Sequence, residues 1–447
     1  MLKKSIISYL LYFIIVFIVL YTLYYCFNNP VKCAIGSAIG SAISSELTEG
    51  FDNGGNYMLE NRYKKQLNTI TSFIEPQASA KRPVTELLST IGDAMPESEQ
   101  CLVNFNVLGC RFTGYTGPFE EGYFDPNNAV RLAVAAGCRC FVLEIDYIDG
   151  EGGEKYFPRI VVRDKHNRLR MKHNTVKPHN KDALRAAVHS IEAVCSDINF
   201  YAFNSSQNNT DPVIIVLYFL RVPPGSYNSK VVLDYYSNVA KALAPLQDRL
   251  IHNLLQGGNF YRQQQEGKLL INNITDYNNK VLIFSNANTN GFRQNKTYSA
   301  MQDLDYLVNL RLNYTQTKLG VTEDTTNGST YGILETADNY TIIPADRADT
   351  VAEDTKLRWT ICFSKNPEKP VDYKTYTSIT KNFGIHCVPI QIFDQTNGFM
   401  FVDKTFKTYS YIPKPQPLRY IKPPIVIPGE PNPSTDAKQG LLRSPTI

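Results

Sequence analysis

Between residues 102 and 402 the sequence repeats one pattern, a short and nearly unbroken apolar run followed by a stretch with helical spacing. The apolar runs are 102–108 (LVNFNVL), 140–146 (CFVLEID), 158–163 (PRIVVR), 212–219 (PVIIVLYF), 280–285 (KVLIFS), 358–363 (RWTICF), 386–393 (HCVPIQIF) and 398–402 (GFMFV). Helical spacing occupies 126–136, 180–197, 229–256 and 301–312. A strand that is apolar on both faces must be covered on both, which is the situation of a parallel sheet whose crossovers are helices. About eight such units over roughly 320 residues fit a (β/α)8 barrel of the TIM type better than a shorter open sheet. The fold class expected is therefore α/β.

The ends of the chain have a different texture. Residues Ile6 to Phe27 carry no charge, and at 1.5 Å per helical residue such a run crosses a hydrocarbon core of about 30 Å. Tyr21, Tyr24 and Tyr25 crowd its far end, where an aromatic belt sits. The run is longer than the apolar region of a cleaved leader, although the small residues of AIGSAIGSAISS (34–45) offer a cleavage site. Gly36 and Gly40 in that repeat have helix-packing spacing, but a small-residue spacer is the plainer reading. We expect a signal-anchor helix in 1–30, a spacer or stalk over 31–100, the barrel over 101–422, and a disordered Pro-rich tail over 423–447. Lys3 and Lys4 before the run, against Lys32 after it, favour a cytoplasmic N-terminus and a translocated barrel on a single-pass membrane protein of a virion or endomembrane. Sequons at Asn204, Asn208, Asn273, Asn295, Asn313, Asn327 and Asn339 agree with that orientation, in a chain where Asn, Ser and Thr are common enough to supply several by chance.

Charge and cysteine content narrow the function. A net charge of +4 from 46 basic and 42 acidic residues is too balanced for a protein that lives on nucleic-acid phosphates. Nine cysteines without a CxxC pair exclude a zinc ribbon or a thioredoxin-type motif. Cys101 and Cys110 flank the first run and are a possible bridge in a translocated domain, whereas Cys138 and Cys140 read as small core residues.

Four segments, in order, carry a family resemblance. AVAAGCRCFVLEIDYIDG (133–150) resembles the "L..GCRCVELDCWDG" segment of phosphatidylinositol-specific phospholipase C barrels, with Gly137, Cys138, Arg139, Cys140, Glu144, Asp146, Asp149 and Gly150 matching and Phe141 and Val142 inserted. YAFNSSQNNTDPVIIVLYF (201–219) resembles "YAF..S.YPVILSLE", NNKVLIFSNAN (278–288) resembles "L.GKILIKNKK", and residues 382–415 resemble "N.GCQMVALNFQT…GY.LKP". The resemblance implies a phospholipase C-like barrel acting on phosphodiesters. It also implies two histidines as general base and acid, and a calcium ion held by Asn, Glu, Asp and a second Glu.

The residues that this chemistry requires are mostly replaced. Arg111 stands where the first histidine belongs, Phe112 where the liganding Asn belongs, Arg163 at the second histidine, and Tyr218 at the second ligand Glu. Phe284 and Asn286 stand where the resemblance places phosphate-binding lysines, and there is no histidine from 101 to 165. Glu144 and Asp146 persist as residual calcium-ligand positions, two apart on a strand and so on one face. Two readings follow. In the first, the chain is a membrane-anchored pseudoenzyme without a cofactor, held to lipid by its N-terminal helix and binding anionic head groups or a protein partner. In the second, a divergent phosphodiesterase, with calcium as its cofactor, has moved its acid–base groups to His166, His173 and His179. These lie in a basic loop with Lys165, Arg168, Arg170, Lys172, Lys177 and Lys181. His189 and His252 fall in helical patterns and read as ordinary histidines, and the HNT of 173–175 reads as coincidence. Two carboxylates confined together without a cation repel, so one or both of Arg111 and Arg163 are expected within hydrogen-bond reach of Glu144 or Asp146.

Overall fold

The structure, a computed structural model, describes residues 61, 63–116, 123–147, 156–166, 168–169, 189–251, 268–295, 297–314, 332–392 and 397–423. The apolar run 6–27, the AIGS repeat, Cys26, Arg170, His173, His179, His252, Asn327 and the tail from 424 lie outside them. Among the described residues no helix is long and apolar enough to cross a membrane. Gln66–Ile447 forms one compact unit.

Twelve strands occur among the described residues: β1 (Phe105–Val107), β2 (Gly109–Cys110), β3 (Tyr115–Thr116), β4 (Tyr123–Phe124), β5 (Cys140–Asp146), β6 (Arg159–Ile160), β7 (Val213–Phe219), β8 (Val281–Ser285), β9 (Leu310–Tyr314), β10 (Gly332–Thr336), β11 (Trp359–Phe363) and β12 (Tyr411–Pro413). Eight of them form one curled sheet: seven follow the order β11-β10-β9-β8-β7-β5-β2 with every neighbouring pair parallel, and β6 pairs antiparallel with β5. Segment 386–390 lies against both outer strands. Ile390 N donates to Gly109 O at 2.9 Å and Cys362 N to Cys387 O at 2.9 Å, with parallel bridges Cys110–Ile390 and Ile361–Cys387.

Strand parity divides the apolar side chains into two cores. Cys140, Val142, Ile214, Val216, Leu282, Phe284, Leu334, Trp359 and Ile361 share the inner core. Phe141, Leu143, Ile145, Ile215, Leu217 and Ile283 turn outward to the covering helices. This double burial explains why the runs lacked polar alternation. Helix Pro126–Ala136 begins at its expected place, because Asp125 caps it by accepting from Asn128 N and Pro126 suits the first turn, and it ends at Gly137 with φ +100.

Several expectations are corrected. Residues 84–100 are no stalk, since Val84 and Met95 join the inner core, and the run 102–108 gives β1, which pairs antiparallel with β12 rather than entering the curled sheet. Run 158–163 gives only β6, antiparallel to β5. Run 398–402 is helical, within Asn397–Lys404, and 301–312 is a short helix, Leu304–Leu307, followed by β9. Cys101 and Cys110 are both buried free thiols, since Cys101 faces the inner core and Cys110 the outer one.

Lys81, three residues before Val84, is 1% exposed and donates from Nζ to Phe406 O at 2.7 Å and Lys407 O at 3.1 Å. Burial pulls its pKa down to about 8, with Cys138 opposing. Between about pH 8 and 10.5 the folded chain therefore releases a proton that the unfolded chain keeps, and stability rises with pH across that window. A Lys81→Met variant is expected to lack this gain. The difference in melting midpoint between parent and variant, followed from neutral pH upward, checks it, and a difference that does not change with pH contradicts it.

Candidate functional site

The C-terminal ends of β2, β5, β7 and β11 bring the expected residues together. Glu144 and Asp146 follow Cys140 and Val142 in parity and so face the inner side of the curled sheet, 2% and 0% exposed. Arg111 follows β2 directly. Its Nε donates to Glu144 Oε1 at 2.5 Å. Arg163 reaches Asp146 from beyond β6, with Nε 2.6 Å from Oδ2. Both arginines thus lie on the carboxylates, as the repulsion argument requires.

A third arginine, Arg221, was not singled out from the sequence. It leaves the end of β7, donates from Nε to Asp146 Oδ1 at 2.8 Å and from Nη2 to Tyr147 O at 2.8 Å, and lies 4.3 Å from the Tyr147 ring. The sequence signal was a cation two residues past an apolar run, where the C-terminal ends of barrel strands carry side chains into the mouth.

Aromatic side chains complete the layer. Tyr218 stacks on Phe363 with ring centroids 5.1 Å apart, and the Arg111 guanidinium lies 5.0 Å from the Phe363 ring and 4.8 Å from that of Phe112. Glu144, Arg111, Phe363 and Tyr218 form a continuous buried file across the interior. Arg111 Nη1 is buried without a hydrogen-bond partner, so its charge is met by Glu144 and by ring faces. Phe112 holds φ +56, a left-handed conformation costing a bulky residue on the order of 1–3 kcal/mol. The turn so formed sets Arg111 against Glu144 and leaves the Phe112 ring beside it. Burial pushes the Glu144 carboxyl above its ordinary range, and Arg111 pulls it back only in part.

These residues do not fit a calcium ion. Calcium takes about six to eight oxygen ligands, whereas here each carboxylate already accepts from a guanidinium, and Phe112 and Tyr218 stand at the other ligand positions that the resemblance assigns. Among the described residues no three His, Cys, Asp or Glu converge as a metal site.

Of the three alternative acid–base histidines, His166 falls among the described residues. His166 is exposed, in a turn ordered by Asp164, whose Oδ1 accepts from His166 N and Arg168 N, each at 2.9 Å. His173 and His179 lie outside the described residues. His189 is fully buried, its Nδ1 2.7 Å from Tyr115 Oη, as an ordinary core histidine would be. His386, at the opposite end, accepts from Thr360 N at 2.9 Å, and its Nε2 lies 2.7 Å from Val103 O. Burial lowers its pKa, so the neutral ring serves as a structural tie.

No protein-family model matches the sequence, and no curated protein is significantly similar to it. Among solved structures the chain is similar to PLC21 of L. pealei (15% identity, TM-score 0.50) and PLC21 of S. officinalis (14%, 0.48), in each case over 73% of this chain and 39% of the other. It is also similar to a calcium-dependent phosphatidylinositol-specific phospholipase C from Streptomyces antibioticus, at 12% identity and TM-score 0.42, over 70% of this chain and 99% of the other. The chain thus spans about two fifths of the length of the two PLC21 structures. Together with the curled parallel sheet and its covering helices, the likeness to PLC21 of L. pealei identifies the fold as a distant phospholipase C-like α/β fold.

Proposed function

We propose that this protein is a phospholipase C-like barrel that does not hydrolyse phosphodiesters and serves as a binding or structural module, anchored to a bilayer by the run 6–27. The observation that carries the reading is the Arg111–Glu144 pair at 2.5 Å, continued by Phe363 and Tyr218, which fills the place where a metal-assisted phosphodiesterase keeps its cation and its base. A guanidinium has no basic nitrogen at neutral pH and cannot accept the proton of an attacking hydroxyl. Arg111 and Arg163 supply charge where the reaction would need a titrating group. We further infer that segment 386–390 is the eighth stave of a closed barrel, supported by its bridges to β2 and β11.

The test is release of soluble inositol phosphate from phosphatidylinositol in mixed micelles, with calcium and with chelator, alongside the melting midpoint in both. No turnover and an unmoved midpoint are expected. Turnover that chelator abolishes, or a calcium-raised midpoint that a Glu144→Gln variant loses, overturns the reading.

A further inference from the structure

We infer that the barrel folds where thiols stay reduced and no glycan is transferred to asparagine, that is, on the cytosolic side of a membrane, opposite to the orientation suggested by the flanking lysines. The evidence lies far from the mouth and does not depend on whether the protein is an enzyme.

Asn208 heads the sequon Asn208-Asn209-Thr210, yet its side chain is the centre of a buried clamp with 0% exposure. Nδ2 donates to Ser410 Oγ at 2.6 Å and to Asp211 Oδ2 at 3.3 Å, so both amide hydrogens are engaged, while Oδ1 accepts from Arg139 Nη2 at 2.8 Å. Glycan transfer would form a bond between Nδ2 and the sugar C1, break the C1–oxygen bond to the lipid diphosphate carrier, and release one amide proton. A sugar chain at that nitrogen has no room in this fold. Transfer acts on the emerging chain, before Arg139, Asn208 and Ser410 have met. A chain threaded into a glycosylating compartment would therefore be marked at Asn208 first and could not close the clamp afterwards. Asn204, four residues earlier, also heads a sequon and is exposed, so it reports independently on whether the chain meets the transferase.

The cysteines give a second, separate indication. Seven are described, and all seven are buried free thiols. Cys110 and Cys138 share the outer core, and Cys140 and Cys387 the inner one. The Cys387 sulfur occupies the space above Gly109, where an added Cβ would lie 2.6 Å from it. Neighbouring thiols of this kind stay reduced where low-molecular-weight thiols predominate and are at risk of joining where disulfide donors do. Joining Cys387 to Cys140 would draw its sulfur out of the packing position beside Gly109.

The experiment uses the full chain, translated with sealed microsomes and also made in cultured animal cells. The expected result has three parts. Every sequon peptide is unmodified, Asn204 included; protease added outside the vesicles digests the barrel; and an alkylating reagent labels Cys101, Cys110, Cys138, Cys140, Cys195, Cys362 and Cys387 of the denatured chain without prior reduction. A glycan at Asn204 or Asn208 on a protease-protected barrel overturns the inference, as does a disulfide within either cysteine pair. A paired comparison checks the clamp itself. Asn208→Gln should lower the melting midpoint and Asn204→Gln should leave it unchanged, and equal midpoints would remove Asn208 from the argument.

Discussion

Replacing Arg111 by Met is expected to destabilise the fold by about 3–5 kcal/mol, the cost of leaving a buried carboxylate without its partner. Glu144 is 2% exposed and accepts from the Arg111 Nε. The loss should depend on pH, with a sign fixed by the environment. Burial already holds the Glu144 carboxyl above its ordinary range, and removing Arg111 takes away what lowers it. A folded-state pKa that is raised gives stability below the unfolded value and loses it as pH rises through the folded one. The variant should therefore be closest to the parent in acid and furthest from it above neutrality. Chemical denaturation at several pH values measures this. A companion Arg111→Met, Glu144→Leu variant removes both charges and should recover most of the loss, because a buried pair replaced by apolar groups of similar volume is often no less stable. If Arg111→Met alone unfolds like the parent at every pH, the file of Glu144, Arg111, Phe363 and Tyr218 does not hold the mouth.

A comparable loss is expected at the opposite end from Arg139→Met, on the order of 3–5 kcal/mol. Arg139 is 0% exposed and donates to Ala202 O at 2.9 Å, Ser206 Oγ at 2.6 Å, and Asn208 O and Oδ1 at 2.6 and 2.8 Å. It ties the irregular turn 201–208 to the start of β5, and Asn208 carries the tie on to Ser410. Nearby Asp211, whose Oδ1 accepts from Val84 N at 2.7 Å, has its pKa raised to about 6 by burial, with Arg139 opposing. In the parent, Asp211 therefore costs stability as pH rises from its ordinary 3.8 to about 6. Without Arg139 that decline should continue above pH 6. A variant whose deficit against the parent is the same at about pH 5 and pH 8 would show that Arg139 does not act on Asp211.

The staves with unbroken apolar runs could be read from the sequence because double burial forbids polar alternation. The runs 140–146, 212–219, 280–285 and 358–363 correspond to β5, β7, β8 and β11 within a residue. β10 could not be read this way, since Gly332–Thr336 is five residues with a Gly at one end and Glu335 near the other. Residues 84–100 were misread as part of a stalk for a related reason. They bury Val84 and Met95 through one short helix and two turns, none long enough to establish a period. At the site, Arg111 and Arg163 were legible because a resemblance supplied positions to compare, and electrostatics then supplied their partners. Arg221 and Phe363 were not, because their contacts cross between strands far apart in sequence, and only the curl of the sheet sets those distances.

The pairing of β1 with β12 also bears on how such a unit can travel between proteins. Phe105 lies opposite Pro413 and Val107 opposite Tyr411, and Lys422 N donates to Ser98 O at 3.0 Å, so the strands before and after the curled sheet are fastened side by side. A unit whose ends meet can be spliced into a loop of another chain, or given new termini elsewhere, without stretching its frame. Because Ile70, Ile74 and Val84 ahead of β1 belong to the same cores, such a splice would have to carry 66–104 along with the two fastened strands.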